Sequence, residues 1–165
     1  MLRTSIGARL RAGAVTAVLT GGILAGSVAT TAPAAHATEP SAAQVRAAKI
    51  NAVMSWASKQ KGKPYSYGAA GPSRFDCSGL VMYVFSHAVG RSLPHNAQSQ
   101  YARTWHISRS QLRPGDLVFE VSGGSAYHVG IYAGNGYFWH APHSGTVVKK
   151  QKMYSSNWRF GRIIK

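Results

Sequence analysis

The chain has 165 residues, with 19 Lys and Arg against 4 Asp and Glu, a net charge of +15 at neutral pH, and a single cysteine. One thiol excludes an internal disulfide, and the charge excludes a polycation as partner while favouring acidic polymers, membrane surfaces or nucleic acid. No zinc-finger, RNA-binding-sheet or basic-zipper signature is present, so nothing in the pattern specifies nucleic-acid recognition.

The first residues read as a targeting segment. Arg3, Arg9 and Arg11 precede an uncharged stretch from Ala12 to about Ala32, and Ala35-His36-Ala37 matches the small-x-small cleavage pattern. The stretch is built from Ala, Gly and Thr, a poor composition for a membrane span, so residues 1–37 are expected to be a removable secretory signal peptide and no stable membrane anchor is expected. No cysteine follows it to take a lipid, and Leu10 between Arg9 and Arg11 breaks a twin-arginine signal. Three of the basic residues would leave with it, so sixteen remain against four acids. For an exported protein the nearest acidic polymers are those of the cell envelope.

Residues 38–44 form a short leader, in which Pro40 and Ser41 supply a helix start signal, and residues 45–165 are expected to be one domain. From Ala42 to about Gln60, the residues Val45, Ala48, Ala52, Val53, Trp56 and Ala57 recur at helical spacing, and Gly62 and Pro64 end the pattern. A loop follows to Arg74. Cys77 to about Val89 reads as a second helix, apolar along Leu80, Val81, Val84, Phe85 and Ala88 and closed by Gly90. A short helix is predicted from Pro94 to about Trp105, and a turn at Leu112–Asp116. Strands are then predicted at 117–120, 128–132, 137–140, 146–149 and 158–164, with Gly134-Asn135-Gly136 as a tight hairpin. Helices first and antiparallel strands after define the α+β class.

The chemistry centres on Cys77. An odd thiol in an exported chain is exposed to oxidation, so its presence suggests chemical use. At a helix start, unpaired backbone N–H groups and the helix dipole favour the thiolate, and the same groups can donate to an oxyanion. A thiol nucleophile needs a base and a group to hold that base. His128 and His140 fall on paired strands, and their separation of twelve, an even number, agrees with a common face only if no bulge intervenes. His87 reads as a surface or boundary residue, and His95 and His106 as solvated. Among Cys77, His128, His140 and His143 only the last two have a short spacing, and no acid ligand lies near, so neither a metal site nor a cofactor is expected.

Asp76-Cys77-Ser78-Gly79-Leu80, His128-Val129-Gly130-Ile131-Tyr132 and His140-Ala141-Pro142 together resemble the three signature segments of the NlpC/P60 cysteine peptidases. Gly62–Gly68 is similar to the family's stretch ahead of the nucleophile, and Arg113–Phe119 to its turn into the first strand. The resemblance implies a papain-like α+β fold, with N-terminal helices packed on a small antiparallel sheet and the nucleophile at a helix N-terminus. It implies a monomeric cysteine peptidase that hydrolyses peptidoglycan stem peptides, commonly between D-glutamate and a diamino acid. By position, Cys77 would be the nucleophile, His128 the base and His140 its orienter. Tyr65 would lie near the oxyanion or the substrate, and Asp76 and Ser78 would bind the stem peptide, Asp76 through its free amine. Leu93-Pro94-His95-Asn96 departs from the family pattern, which has Arg where His95 stands, and Tyr67 and Ala69 stand where Trp and Gly are frequent. Amidases and acyltransferases on the same fold remain alternatives, as does a non-enzymatic cationic protein that binds anionic wall polymers.

Overall fold

The computed structural model describes residues 39–165, so the expected signal peptide lies outside the described residues. Helix α1 spans Ala42–Ser58 and opens on a capping box, in which Ser41 Oγ accepts from Gln44 N and Gln44 Oε1 accepts from Ser41 N. Only Val53 and Ala57 of its apolar set are fully buried, and Val45 is exposed, so α1 docks by its C-terminal half. Helix α2 spans Cys77–Val89 and ends at Gly90, whose φ of 65° is the left-handed conformation expected of a C-terminal glycine.

Helix α3 is shorter than predicted, spanning Ala97–Ala102 with Asn96 as its cap. Trp105 does not end a helix; it starts strand β1, Trp105–Ile107, which pairs only with the last strand. Such a distant partner leaves no local trace in the sequence. The remaining strands are β2 (Leu117–Ser122), β3 (Ser125–Gly134), β4 (Tyr137–His140), β5 (Lys149–Lys152) and β6 (Trp158–Arg162). They form one antiparallel sheet in the order β1-β6-β2-β3-β4-β5. The predicted strand at 146–149 is displaced. Residues 146–148 bond instead to the loop before Cys77, through Gly62 N to Val148 O, Val148 N to Lys63 O and Tyr65 N to Thr146 O, and the sheet strand begins only at Lys149.

One face of the sheet carries Leu117, Phe119, Val129 and Ile131 against Val53, Leu80, Val81, Val84 and Phe85 of the helices. Burying each such side chain contributes about 1.5–3 kcal/mol. The other face holds a smaller cluster of Val118, Phe138, Trp158 and Phe160. Two glycines of the signature segments are required by close approach. A Cβ on Gly79 would strike the Ala69 carbonyl, where the first turn of α2 lies on the preceding loop, and one on Gly130 would strike Phe138.

Both hairpins of β3 turn on two residues with positive φ, Gly123-Gly124 and Asn135-Gly136. Each also carries one extra residue on β3. Ser122 faces Ser125 and Val121 faces Ala126, but Glu120 faces His128, so Tyr127 is bulged. Gly134 faces Tyr137, but Tyr132 faces Phe138 and Ile131 faces Trp139, so Ala133 is bulged. The expectation that a bulge would separate His128 from His140 is therefore reversed. With the register of the Asn135-Gly136 turn carried straight through, the two histidines would fall on opposite faces; the bulge at Ala133 restores a common one. The bulge at Tyr127 likewise brings Glu120 onto the face of His128.

Candidate active site

Cys77 is the first residue of α2 and is half-buried. Asp76, the N-cap, uses its side chain on Gly79 N and its backbone carbonyl on Leu80 N. The amides of Cys77 and Ser78 are thereby left unpaired within the helix, and both lie against the thiol, as does the Val129 amide of β3. These three groups pull the thiol pKa down, but burial, aided by the Asp76 carboxylate, pushes it up and prevails. The helix start favours the thiolate as the sequence suggests, yet desolvation outweighs it.

His128 is buried and lines the same cavity as Cys77. Its Nε2 lies 2.9 Å from His140 Nδ1, and His140 Nε2 lies 3.3 Å from Gln151 Oε1. An amide oxygen only accepts, so His140 Nε2 carries a proton. His140 Nδ1 then accepts from His128 Nε2–H, and the proton-free nitrogen of the His128 ring is Nδ1. Burial pulls His128 down to about 4, opposed by Glu120, and burial together with His128 pulls His140 down to about 3. The chain of donors requires His140 to be neutral, and burial favours the neutral form of His128 at neutral pH.

Gln151 stands at the far end of that chain. Its strand was displaced in the sequence reading, and a lone Gln among lysines carries no signal of its own. Gln151→Leu is expected to lower activity by about tenfold, since His140 is then free to adopt the other tautomer, which forces a proton onto His128 Nδ1. Gln151→Glu should restore the donor order and most of the rate. Equal loss in both variants would assign Gln151 a packing role only.

Two cavities flank Cys77 and share Tyr65 and Tyr127. The first is bounded by Asp76, Ser78, His95 and Tyr67, and the second by Glu120, His128, His143 and Tyr154. Burial pushes the Tyr65 phenol up in pKa, with Cys77 and Asp76 adding to it. In the first cavity, Asp76 accepts four hydrogen bonds: Oδ1 from Ser78 Oγ at 3.1 Å and Gly79 N at 2.7 Å, and Oδ2 from Gly68 N at 2.9 Å and His95 Nε2 at 2.8 Å. His95 is therefore a partner of Asp76 at the site and not merely solvated. The signal available was its place where the family pattern has Arg. Buried Gln100 fixes this wall by donating to the carbonyls of Ser78 and Pro94. His87 and His106 are exposed and stack on Tyr83 and Tyr101, away from the thiol. His143 is exposed at the cavity rim. Among the described residues, no group of three His, Cys, Asp or Glu side chains is placed to hold a metal ion.

The site thus sets a half-buried thiol at a helix start in one cavity with a histidine relay on an antiparallel sheet. Residues 62–161 match the NlpC/P60 family, and the chain belongs to that family. It is 47% identical over 116 residues to the probable endopeptidase p60 of Listeria monocytogenes, covering 67% of this chain and 23% of that protein. It is 42% identical over 120 residues to the bifunctional muramidase/DL-endopeptidase CwlT of Bacillus subtilis, covering 67% of this chain and 36% of that protein. The chain thus spans well under half the length of either relative. Its fold matches the NlpC/p60 domain of the peptidoglycan hydrolase SagA with a TM-score of 0.65 and 36% identity, covering 69% of this chain and 98% of that domain.

Proposed function

We propose that the protein is a cell-wall endopeptidase that hydrolyses peptidoglycan stem peptides between D-glutamate and a diamino acid, with Cys77 as nucleophile. The observation that carries this reading is the relay from Gln151 through His140 to His128, which leaves an unprotonated Nδ1 on a ring in the Cys77 cavity. The relatives named for endopeptidase activity support the substrate class.

In the reaction, His128 Nδ1 takes the Cys77 proton as Sγ attacks the scissile carbonyl carbon. The carbonyl oxygen gains the electron pair and accepts from the Cys77 and Ser78 amides. On collapse, the C–N bond breaks, the leaving nitrogen takes the proton from His128, and a thioester remains. Water, deprotonated by His128, then releases the acid. Because the leaving amine is protonated by His128, it enters the cavity of Glu120 and Tyr154, and the acyl side lies along Tyr65, Asp76 and Ser78. A stem-peptide amine at Asp76 takes its place by exchange with His95, since the other three donors are fixed backbone or buried groups. Muropeptide digestion with product mass analysis tests the assignment. Water added across one D-glutamyl bond is expected for the parent and no product for Cys77→Ala. Joined substrates in place of hydrolysed ones would identify an acyltransferase.

The charge suits anchorage to anionic wall polymers. Asp76, Asp116 and Glu120 are all buried, so of the four acids only Glu39 faces outward, against twelve exposed basic residues among those described. Binding to isolated walls is expected to fall severalfold between about 0.05 M and 0.5 M salt, as screening shortens to a few ångströms, and to be unchanged in Cys77→Ala. Binding insensitive to salt would remove the electrostatic account.

A further inference from the structure

We propose that Glu120, with the phenols of Tyr127 and Tyr154, forms a subsite for an ammonium group carried by the residue on the leaving side of the scissile bond. The inference rests on the proposed endopeptidase reaction for its direction, and on the inventory of acidic side chains for its substance.

Three of the chain's four carboxyl groups are accounted for elsewhere. Glu39 is exposed ahead of α1. Asp116 is held by Arg162 through Nε and Nη2, each at 2.8 Å, and by Arg113 N at 2.7 Å. Asp76 accepts four hydrogen bonds, the full capacity of a carboxylate, and its one exchangeable place, that of His95, lies in the other cavity, on the acyl side. Glu120 differs. It is 8% exposed, and Tyr154 OH donates to its Oε2 at 3.0 Å. The Tyr127 phenol also faces it, and burial followed by Glu120 raises the pKa of both tyrosines. Two phenols leave about half of its acceptor capacity free, and Glu120 lines the cavity that holds Cys77 and His128.

Position adds to capacity. The register places Glu120 directly opposite His128, and directly opposed residues on antiparallel strands project to the same side. The bulge at Tyr127 creates that pairing and turns a phenol over the rim. The leaving nitrogen must reach His128 to be protonated, so the side chain of the leaving residue extends along the wall that Glu120 occupies. On a surface with twelve exposed basic residues among those described, a sheltered carboxylate at this point selects for a cation and against a neutral chain. The ligand class is a primary ammonium on a short aliphatic stem, as in a diamino acid.

The test uses two peptides, alanyl-γ-D-glutamyl-lysine and the same peptide with norleucine, a neutral counterpart of similar length. The wild-type protein is expected to favour lysine by about tenfold in kcat/KM, the scale of one hydrogen bond to a charged group. Glu120→Gln keeps the acceptor for Tyr154 but removes the charge, and the ratio is expected to fall to within about twofold of unity. Binding of both peptides to Cys77→Ala and to Cys77→Ala/Glu120→Gln gives the same ratio without turnover, with thermal melting confirming that each variant is folded. Equal affinity for the two peptides in Cys77→Ala, or a preference that survives Glu120→Gln, overturns the subsite. A preference in binding, lost with Glu120→Gln, in a protein that cleaves neither peptide would keep the subsite and remove the endopeptidase reading.

Discussion

Muropeptide hydrolysis is expected to drop by about 10⁴-fold or more in both Cys77→Ala and His128→Gln, with the double variant no slower than the worse of the two. The reason is that the two side chains act in one step of the proposed reaction. Without Sγ there is no thioester; without Nδ1 the thiol keeps its proton, because burial already raises the Cys77 pKa. A free protein with a standing thiolate would retain much of its nucleophilicity without the base. With burial raising the thiol and lowering the imidazole, the proposed reaction moves the proton only as the bond forms. His140→Gln should cost less, about 10- to 100-fold, since it removes the group that orients His128 and leaves the base itself in place. Single-turnover assays on one defined muropeptide would measure all four. Losses that multiply in the double variant would show that Cys77 and His128 serve separate steps, and a fast His128→Gln enzyme would point to another base, with His143 the nearest alternative at the cavity rim.

Much of this site was legible in the sequence, and the remainder was hidden for a common reason. Local signals located α2 to the residue: Asp76 caps it, the apolar face runs through it and Gly90 closes it. Asn135-Gly136 located the second hairpin. Strand pairing is different, because it depends on counting through turns, and a single bulged residue inverts every face beyond it. Tyr127 and Ala133 each do this once. Tyr127 is marked by no glycine or proline, and Gly134 beside Ala133 reads as part of the turn, so the sequence offered His128 and His140 as a pair on an even spacing whose premise, an unbulged ladder, does not hold. Glu120 is hidden in the same way, because the Gly123-Gly124 turn read straight through would set it opposite Tyr127 and on the face away from His128. Gln151 and β1 were missed because their partners, β4 and β6, fix where those strands begin. What the sequence carried was residue chemistry at element starts; what it withheld was register.

The buried relay has a cost that acid should expose. In the unfolded chain His128 and His140 take up protons near the ordinary value of about 6.5, whereas in the folded protein they do so near 4 and 3. Between those values the unfolded state binds more protons, so lowering the pH favours unfolding. The full stability is present above pH 6.5 and is lost progressively as the pH falls toward 4. For His128 alone the loss approaches about 3 kcal/mol at the bottom of the window, from 1.36 kcal/mol per pKa unit. His140 adds less than its own shift implies, because the two rings share one hydrogen bond and titrate as a pair. A domain of this size should lose roughly 10 °C of melting temperature between pH 7.5 and 4.5. Most of the window lies above the ordinary carboxylate values of about 3.9–4.3, so the slope between pH 6.5 and 5 separates the relay from general acid unfolding. In His128→Gln/His140→Gln, melting temperature should be nearly flat from pH 7.5 to 4.5, although the variant is inactive and starts from a lower stability at neutral pH. The same slope in parent and variant would place the proton uptake elsewhere and show that the histidines are more open to water than their burial indicates. A flattened slope would identify the feature that readies Cys77 for catalysis, a dry and neutral pair of rings, as the one that limits the fold in acid.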